Sequence, residues 1–307
     1  MSFVSVLMAL LLEQARPIQP GNWIHSMSRM WIRWVGHSFD AGHSRHSWLI
    51  WSLAVLLPAG VATAVHWALM GLAGWPLALI WNVTVLYLTL GFRQFSFHFT
   101  RIRDALEQGD HVTALKLLAQ WRRSDSADLP KGEMVRHVIE FSVIAAHRHV
   151  FGVIVWFSLL AALGLGPAGA IIYRLSEFVG RYWQHPGVTQ LQPVSAALQQ
   201  SARSAWYAAD WLPARLTALG FAMVGSFEEA IDGWRRHEAA GCSDNDGVIL
   251  AATAGAVGLP LGRAGSSDVS EEQLSSAHLT VVVGLVWRTV VMWVVLLALL
   301  TLSRFLG

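Results

Sequence analysis

The stretch Asp210-Trp211-Leu212-Pro213-Ala214-Arg215 sets an acid and a guanidinium at the entry to an apolar run, and a second polar turn, Asp244-Asn245-Asp246, follows downstream. Arginine is the side chain best shaped to grip phosphate or carboxylate through paired N–H donors. Carboxylate and carboxamide oxygens are the ligands a hard divalent cation prefers. The two groups together fit a structural corner or an anion-binding site with Arg215 as the phosphate contact. The other reading of Arg215 is that it fixes a helix start through Asp210.

The remaining polar residues carry less. Thirteen histidines include His37, His43 and His46 near Asp40, and His147 and His149 flanking Arg148. Helical metal pairs sit four apart on one face, as in H-E-x-x-H, which is absent, so no metal site is assigned. The lone Cys242 excludes an intramolecular disulfide and multi-cysteine metal sites, and it reads as an ordinary small residue. A nucleophilic role would need a base, and His237 lies five residues earlier. The run Gly164-Leu165-Gly166-Pro167-Ala168-Gly169 imitates a phosphate loop but has no lysine after it.

The elements that must position these residues are helices in a bilayer. Of 307 residues 54% are apolar and 14% charged, with 16 Trp. An ordinary soluble domain is about 25% charged. Basic residues are scattered along loops without interleaved aromatics, which argues against a nucleic-acid partner. No Asp, Glu, Lys or Arg occurs between Arg45 and Arg93, and none between Arg148 and Arg174. The hydropathy predicts an all-α, polytopic helical bundle forming one domain over 1–307. Its spans fall at about 48–72, 76–94, 150–173 and 279–303, after a short apolar helix at 2–12. Trp48, Trp51, Trp67, Trp75 and Tyr87 read as interfacial anchors. The glycines and Pro167 within 150–173 read as a kink rather than a site wall.

Three polar residues fall inside or beside these apolar segments: Glu13, His66 and Arg288. A mid-span arginine costs about 2.5–3.5 kcal/mol on insertion scales. Arg288 is therefore expected to face the bundle, with Glu13, Glu177 or Asp210 as partner, or else to snorkel. The basic segments 13–47 and 95–149 place that side in the cytoplasm and the turn at 72–76 outside. Outside the spans, 102–121 reads as two amphipathic helices joined at Gly109-Asp110, 196–211 as another helix, and 182–195 as a loop.

The core Trp211-x-Pro213-x-Arg215-Leu216 resembles the CobD/CbiB family and its relative, the AmpE-type membrane regulator. So do Leu10-Leu11-Leu12-Glu13, the span around Trp156 followed by Gly166-Pro167, and the alanine- and glycine-rich segment after Asn245 that ends in Leu261-Gly262. The resemblance implies a helical bundle with long connecting helices in a bacterial inner membrane. The family's synthases attach an aminopropanol-type arm to adenosylcobyric acid, using nucleotide and Mg²⁺, and carry three acidic motifs for it. This chain departs at each. It has Ala145-Ala146-His147-Arg148-His149 after Ser142-Val143, Glu177 alone after Arg174, and Trp206-Tyr207 where an Asp-Asp pair would stand. The departures place it nearer the AmpE-type proteins: a non-catalytic modulator of cell-wall or β-lactamase-induction signalling, without cofactor, whose partners are the lipid bilayer and other membrane or cell-wall signalling proteins. The alternative is a cobalamin biosynthesis protein performing the amide ligation. A transporter is disfavoured because no half of the chain repeats.

Overall fold

The computed structural model describes residues 2–16, 23–40, 44–122, 131–184, 194–242, 244–259 and 276–306, and no strand occurs among them. The helices run α1 (Ser2–Ala15), α2 (Trp23–Phe39), α3 (Ser44–Ala73), α4 (Trp75–Thr89), α5 (Phe92–Glu107), α6 (His111–Arg122) and α7 (Lys131–Ala146). A single π-helical turn, His147–Phe151, leads into α8 (Gly152–Ala162). Then follow α9 (Ala168–Gln184), α10 (Ala196–Val224), α11 (Phe227–Ala239), α12 (Asn245–Val257) and α13 (Ser276–Leu306). The protein is an all-α membrane protein. Three stretches among the described residues are long and apolar enough to cross a bilayer: His46–Ala73, Gly132–Ala162 and Ala277–Ser303.

Two of the four expected spans are corrected. The helix in 76–94 stops at Thr89, where Leu90 turns extended; at Gly91 the His149 ring packs so close that a Cβ would lie 2.6 Å from Nδ1. Fifteen residues reach roughly 22 Å, short of a bilayer's hydrocarbon core. The span expected at 150–173 lies upstream, at 132–162, and the glycines make a reversal, not a kink. Gly164 and Gly166 hold φ of 80° and 58°, a left-handed backbone that only glycine adopts cheaply. Hydropathy located the apolar residues but not the turn among them.

The chain forms two compact units, 1–91 with 148–213 and Gly307, and 92–147 with 214–306. In the first, α8 and α9 lie so close that a Cβ at Gly169 would run into the Trp156 carbonyl, and one at Gly152 into the Tyr173 ring. Ile32, Val35, Ala54, Val55, Val179, Trp183 and Leu198 form a core where α2, α3, α9 and α10 meet. The apolar N-terminal helix packs on α4, and the Tyr87 hydroxyl donates to the Arg16 carbonyl. Asp40 accepts from the Ser195 amide at 2.6 Å and from its hydroxyl at 2.7 Å, and so anchors the start of α10.

In the second unit, α5 and α6 meet at the predicted Gly109-Asp110 joint, where Asp110 caps α6 by accepting from the Thr113 amide at 3.0 Å and hydroxyl at 2.6 Å. Helices α11 and α12 are pressed together at Gly255, whose Cβ would strike the Glu229 carbonyl. The amphipathic helix expected at 196–211 continues to Val224 with Pro213 inside it. Most of the loop expected at 182–195 lies outside the described residues, and 182–184 belong to α9.

Candidate functional site

Asp210 and Arg215 both lie within α10, five residues apart, so their side chains leave the helix roughly 140° apart. Each finds its own surroundings. In the first unit Asp210, 1% exposed, accepts a hydrogen bond from the Tyr173 hydroxyl at 2.8 Å. A buried carboxylate needs such donors, or it forfeits its hydration without return. The Trp206 ring lies 5.3 Å from that of Tyr173, and the Arg148 guanidinium sits 5.7 Å from the Trp206 centroid. Trp156 Nε1 donates to the Ala209 carbonyl at 2.8 Å, tying α8 to α10. Beside this cluster, buried Glu177 pairs with Arg174 at 3.4 Å and Arg181 at 3.5 Å.

Sequence reasoning named Trp206 as an absent acid and overlooked it as a partner of Arg148 and Tyr173. Arg148 stands in the π turn and Trp206 on α10, so their pairing is a tertiary contact between distant segments that no local motif marks.

In the second unit Arg215 is anchored by α12 and α11. Its Nη1 donates to Asn245 Oδ1 at 3.0 Å, and its Nη2 stands 3.9 Å from Glu238. Asp244 is the N-cap of α12, accepting from the Gly247 amide at 2.8 Å, and it lies 3.3 Å from His237 Nε2. Asp246 sits in the first turn of α12. The structure therefore groups Arg215, Asn245 and Asp244 around one pair of helices. Arg215 is mid-helix and fixes no helix start through Asp210, which corrects that reading; its bond is to Asn245 at the start of α12.

The other candidates scatter. Arg288 is exposed and its Nε donates to the Gly284 carbonyl of its own helix at 3.2 Å, so the expectation that it is buried in the bundle is corrected. Glu13 is buried at 4% exposure on α1. His66 is buried, and its Nδ1 has no hydrogen-bond partner among the described residues. His37 and His46 are exposed, and His43 lies outside the described residues. His147 Nδ1 is 2.9 Å from the Thr217 hydroxyl, whereas His149 packs on Gly91, so the two share no ligand. Leu261 and Gly262 also lie outside the described residues. Cys242 makes a long contact with the Ala240 carbonyl at 4.0 Å, and His237 turns to Asp244.

Among the described residues no group of three metal-ligating side chains converges. Asp210 accepts a tyrosine hydroxyl, and Glu177 is bracketed by guanidinium groups. These environments hold protein donors and do not fit a Mg²⁺ centre, which needs several oxygens facing one open point.

A helical membrane chain with the Trp211–Arg215 core inside a long helix invites comparison with known proteins. The model of the family described as CobD/Cbib protein matches residues 3–279. The chain belongs to the CobD/CbiB family. It is 31% identical over 212 residues to the cobalamin biosynthesis protein CobD of Chromobacterium violaceum, covering 67% of this chain and 65% of that one. The corresponding protein of Stutzerimonas stutzeri is 27% identical over 271 residues, covering 83% and 82%. Thus the match with the Chromobacterium protein spans just under two thirds of that protein's length. No solved structure matches. These matches overturn the expected AmpE-type signalling role: the relatives carry the cobalamin biosynthesis name, and their likeness extends over most of the chain despite the altered acidic motifs.

Proposed function

We propose that this chain is a cobalamin biosynthesis protein of the bacterial inner membrane, serving the amide ligation that joins an amine-bearing arm to a corrinoid carboxyl. The observation that carries the reading is the family match running almost from end to end of the chain. The group that suits the substrate is Arg215: a guanidinium oriented by Asn245, with its side chain 16% exposed, has the charge and planar shape that match a phosphate or carboxylate. Asn245 orients it, while Asp244 and Asp246 shape the start of α12 beside it. Asp210 serves as the buried anchor of α10 on Tyr173.

The test is growth of a strain lacking its own adenosylcobinamide-phosphate synthase, supplied with cobyric acid and expressing this chain. Growth should be restored by the native sequence and lost with Arg215→Ala. Absence of growth despite normal amounts of membrane-inserted protein would overturn the ligation reading.

A further inference from the structure

Within the first unit a cavity of about 470 Å³ opens beside α3, lined among others by His66, Trp67 and Gly71 of that helix, Asn82 of α4, and Gly164 and Gly166 of the reversal before α9. Its walls are pinned. Thr63 Oγ1 donates to the Leu165 carbonyl at 3.1 Å, Trp67 Nε1 to the Gly164 carbonyl at 2.8 Å, and Trp81 Nε1 ties α4 to the Ala62 carbonyl at 3.1 Å. Gly166 abuts the imidazole, with a Cβ there only 2.6 Å from His66 Cγ. The turn is thus held against the ring and the ring against the cavity.

Two buried side chains in this lining lack what burial requires. His66 is 7% exposed and Asn82 is 3% exposed, and neither His66 Nδ1 nor Asn82 Oδ1 has a hydrogen-bond partner among the described residues. Buried polar groups are paired as a rule, and an exception asks for a missing partner. One or two waters would satisfy two side chains, yet the cavity has the liquid volume of roughly fifteen. It lies in the size range of small-molecule pockets. Among the described residues no Asp, Glu, Lys or Arg lines it, so a phosphate or an ammonium would meet no counter-charge there. The apolar part of the lining includes Trp67 and Met70, both largely exposed on a helix apolar enough to span the bilayer.

We propose that this cavity binds the glycerol–ester head of an uncharged acylglycerol from the bilayer. Imidazole and carboxamide each donate and accept, which suits a head carrying both hydroxyl and ester oxygens. The acyl chains leave past Trp67 and Met70 into lipid. The site is independent of Arg215 and of the ligation reading.

The test uses the full chain purified in dodecyl maltoside and titrated with 1,2-dioleoylglycerol, read by native mass spectrometry. One molecule per chain should bind saturably. His66→Leu and Asn82→Leu should each weaken binding about three- to tenfold, the loss of one neutral hydrogen bond. Gly71→Phe should abolish saturable binding by placing a ring in the cavity where the head would sit. A Cβ at Gly71 meets nothing within 4 Å, so the substitution meets no clash at its root, and circular dichroism of the purified variant checks its helix content. Retention unchanged in Gly71→Phe would show bulk lipid adhering to the surface and overturn the site. Tighter binding of dioleoylphosphatidylglycerol, or saturation by glycerol alone, would overturn the uncharged-lipid assignment.

Discussion

The two units each contain a pair of adjacent helices closed on a glycine, and they fill the space around it differently. In α8–α9, Gly169 seats the Trp156 carbonyl, and the space alongside takes Tyr173, Trp206 and the buried Asp210. In α11–α12, Gly255 seats the Glu229 carbonyl, and the neighbours are small, Ala218, Val248 and Ala252, with Trp234 packed against them. At the rim of that pair stand its own Glu238, His237 and Asp244 together with Arg215 of α10, and Glu238 is about half exposed. A large aromatic inventory with a sealed carboxylate makes a rigid wedge. Small residues with charges at the edge leave Arg215 partly exposed, with 16% of its side chain open. The same backbone device therefore supports a structural knot in one unit and a polar cluster in the other.

The largest effect should come from filling either contact. Gly169→Val and Gly255→Val each force a side chain into a carbonyl of the facing helix. Overpacking of this kind costs about 3 kcal/mol or more where backbone must move. Melting of the detergent-solubilised protein should fall sharply for both. A variant that melts like the native protein would show that its helix pair is not closed on glycine.

A middle-sized effect should separate the two knots. Tyr173→Phe removes a donor from a fully buried carboxylate and should cost about 1–3 kcal/mol. Arg215→Ala breaks a partly exposed contact to Asn245 and a long one to Glu238, and should cost less than about 1 kcal/mol. Growth on cobyric acid should show the reverse order, with Arg215→Ala the worse. Equal melting shifts for the two variants would erase the distinction between wedge and rim.

The smallest effect belongs to the cap of α6. Bonds from the Thr113 hydroxyl and then its amide hold the Asp110 carboxyl below its ordinary value of 3.8. The unfolded chain therefore takes up the proton first as pH falls. The stabilisation is present above the ordinary carboxylate range and is lost as pH drops through the lowered value. Asp110→Ala should flatten this small acid dependence, measured by circular dichroism between pH 5 and roughly pH 2. An unchanged acid limb would mean that the cap is frayed in solution.

How much of this was legible follows from what each signal measures. The uncharged run after Arg45 announced α3, and the apolar C-terminal run announced α13, since lipid burial is written in composition alone. The Gly109-Asp110 joint was legible because its turn chemistry is local. The reversal at Gly164–Pro167 was not resolved from a kink, because apolar residues flank it on both sides. The end of α4 at Leu90 falls inside an uncharged run, which hydropathy alone does not divide. For the site, residue types pointed to Asp210, Arg215 and Asn245, and the last two do meet. That Asp210 belongs with Tyr173 depended on how α9 and α10 pack across 37 residues of sequence, which no periodicity predicts. The altered acidic motifs weighed towards a regulator, whereas the shared framework extends well past them.

The anchoring of α10 by Asp40 has a consequence for how the chain is made. Ser195 emerges 155 residues after its partner. At the usual 5–20 residues per second, that is roughly 8–30 s of synthesis. By the end of this interval α2 and α3 have long been made, and only then can the Ser195 bonds to Asp40 form. The bond thus marks a late event in biogenesis, at which the earliest helices are stitched to a segment made long after them.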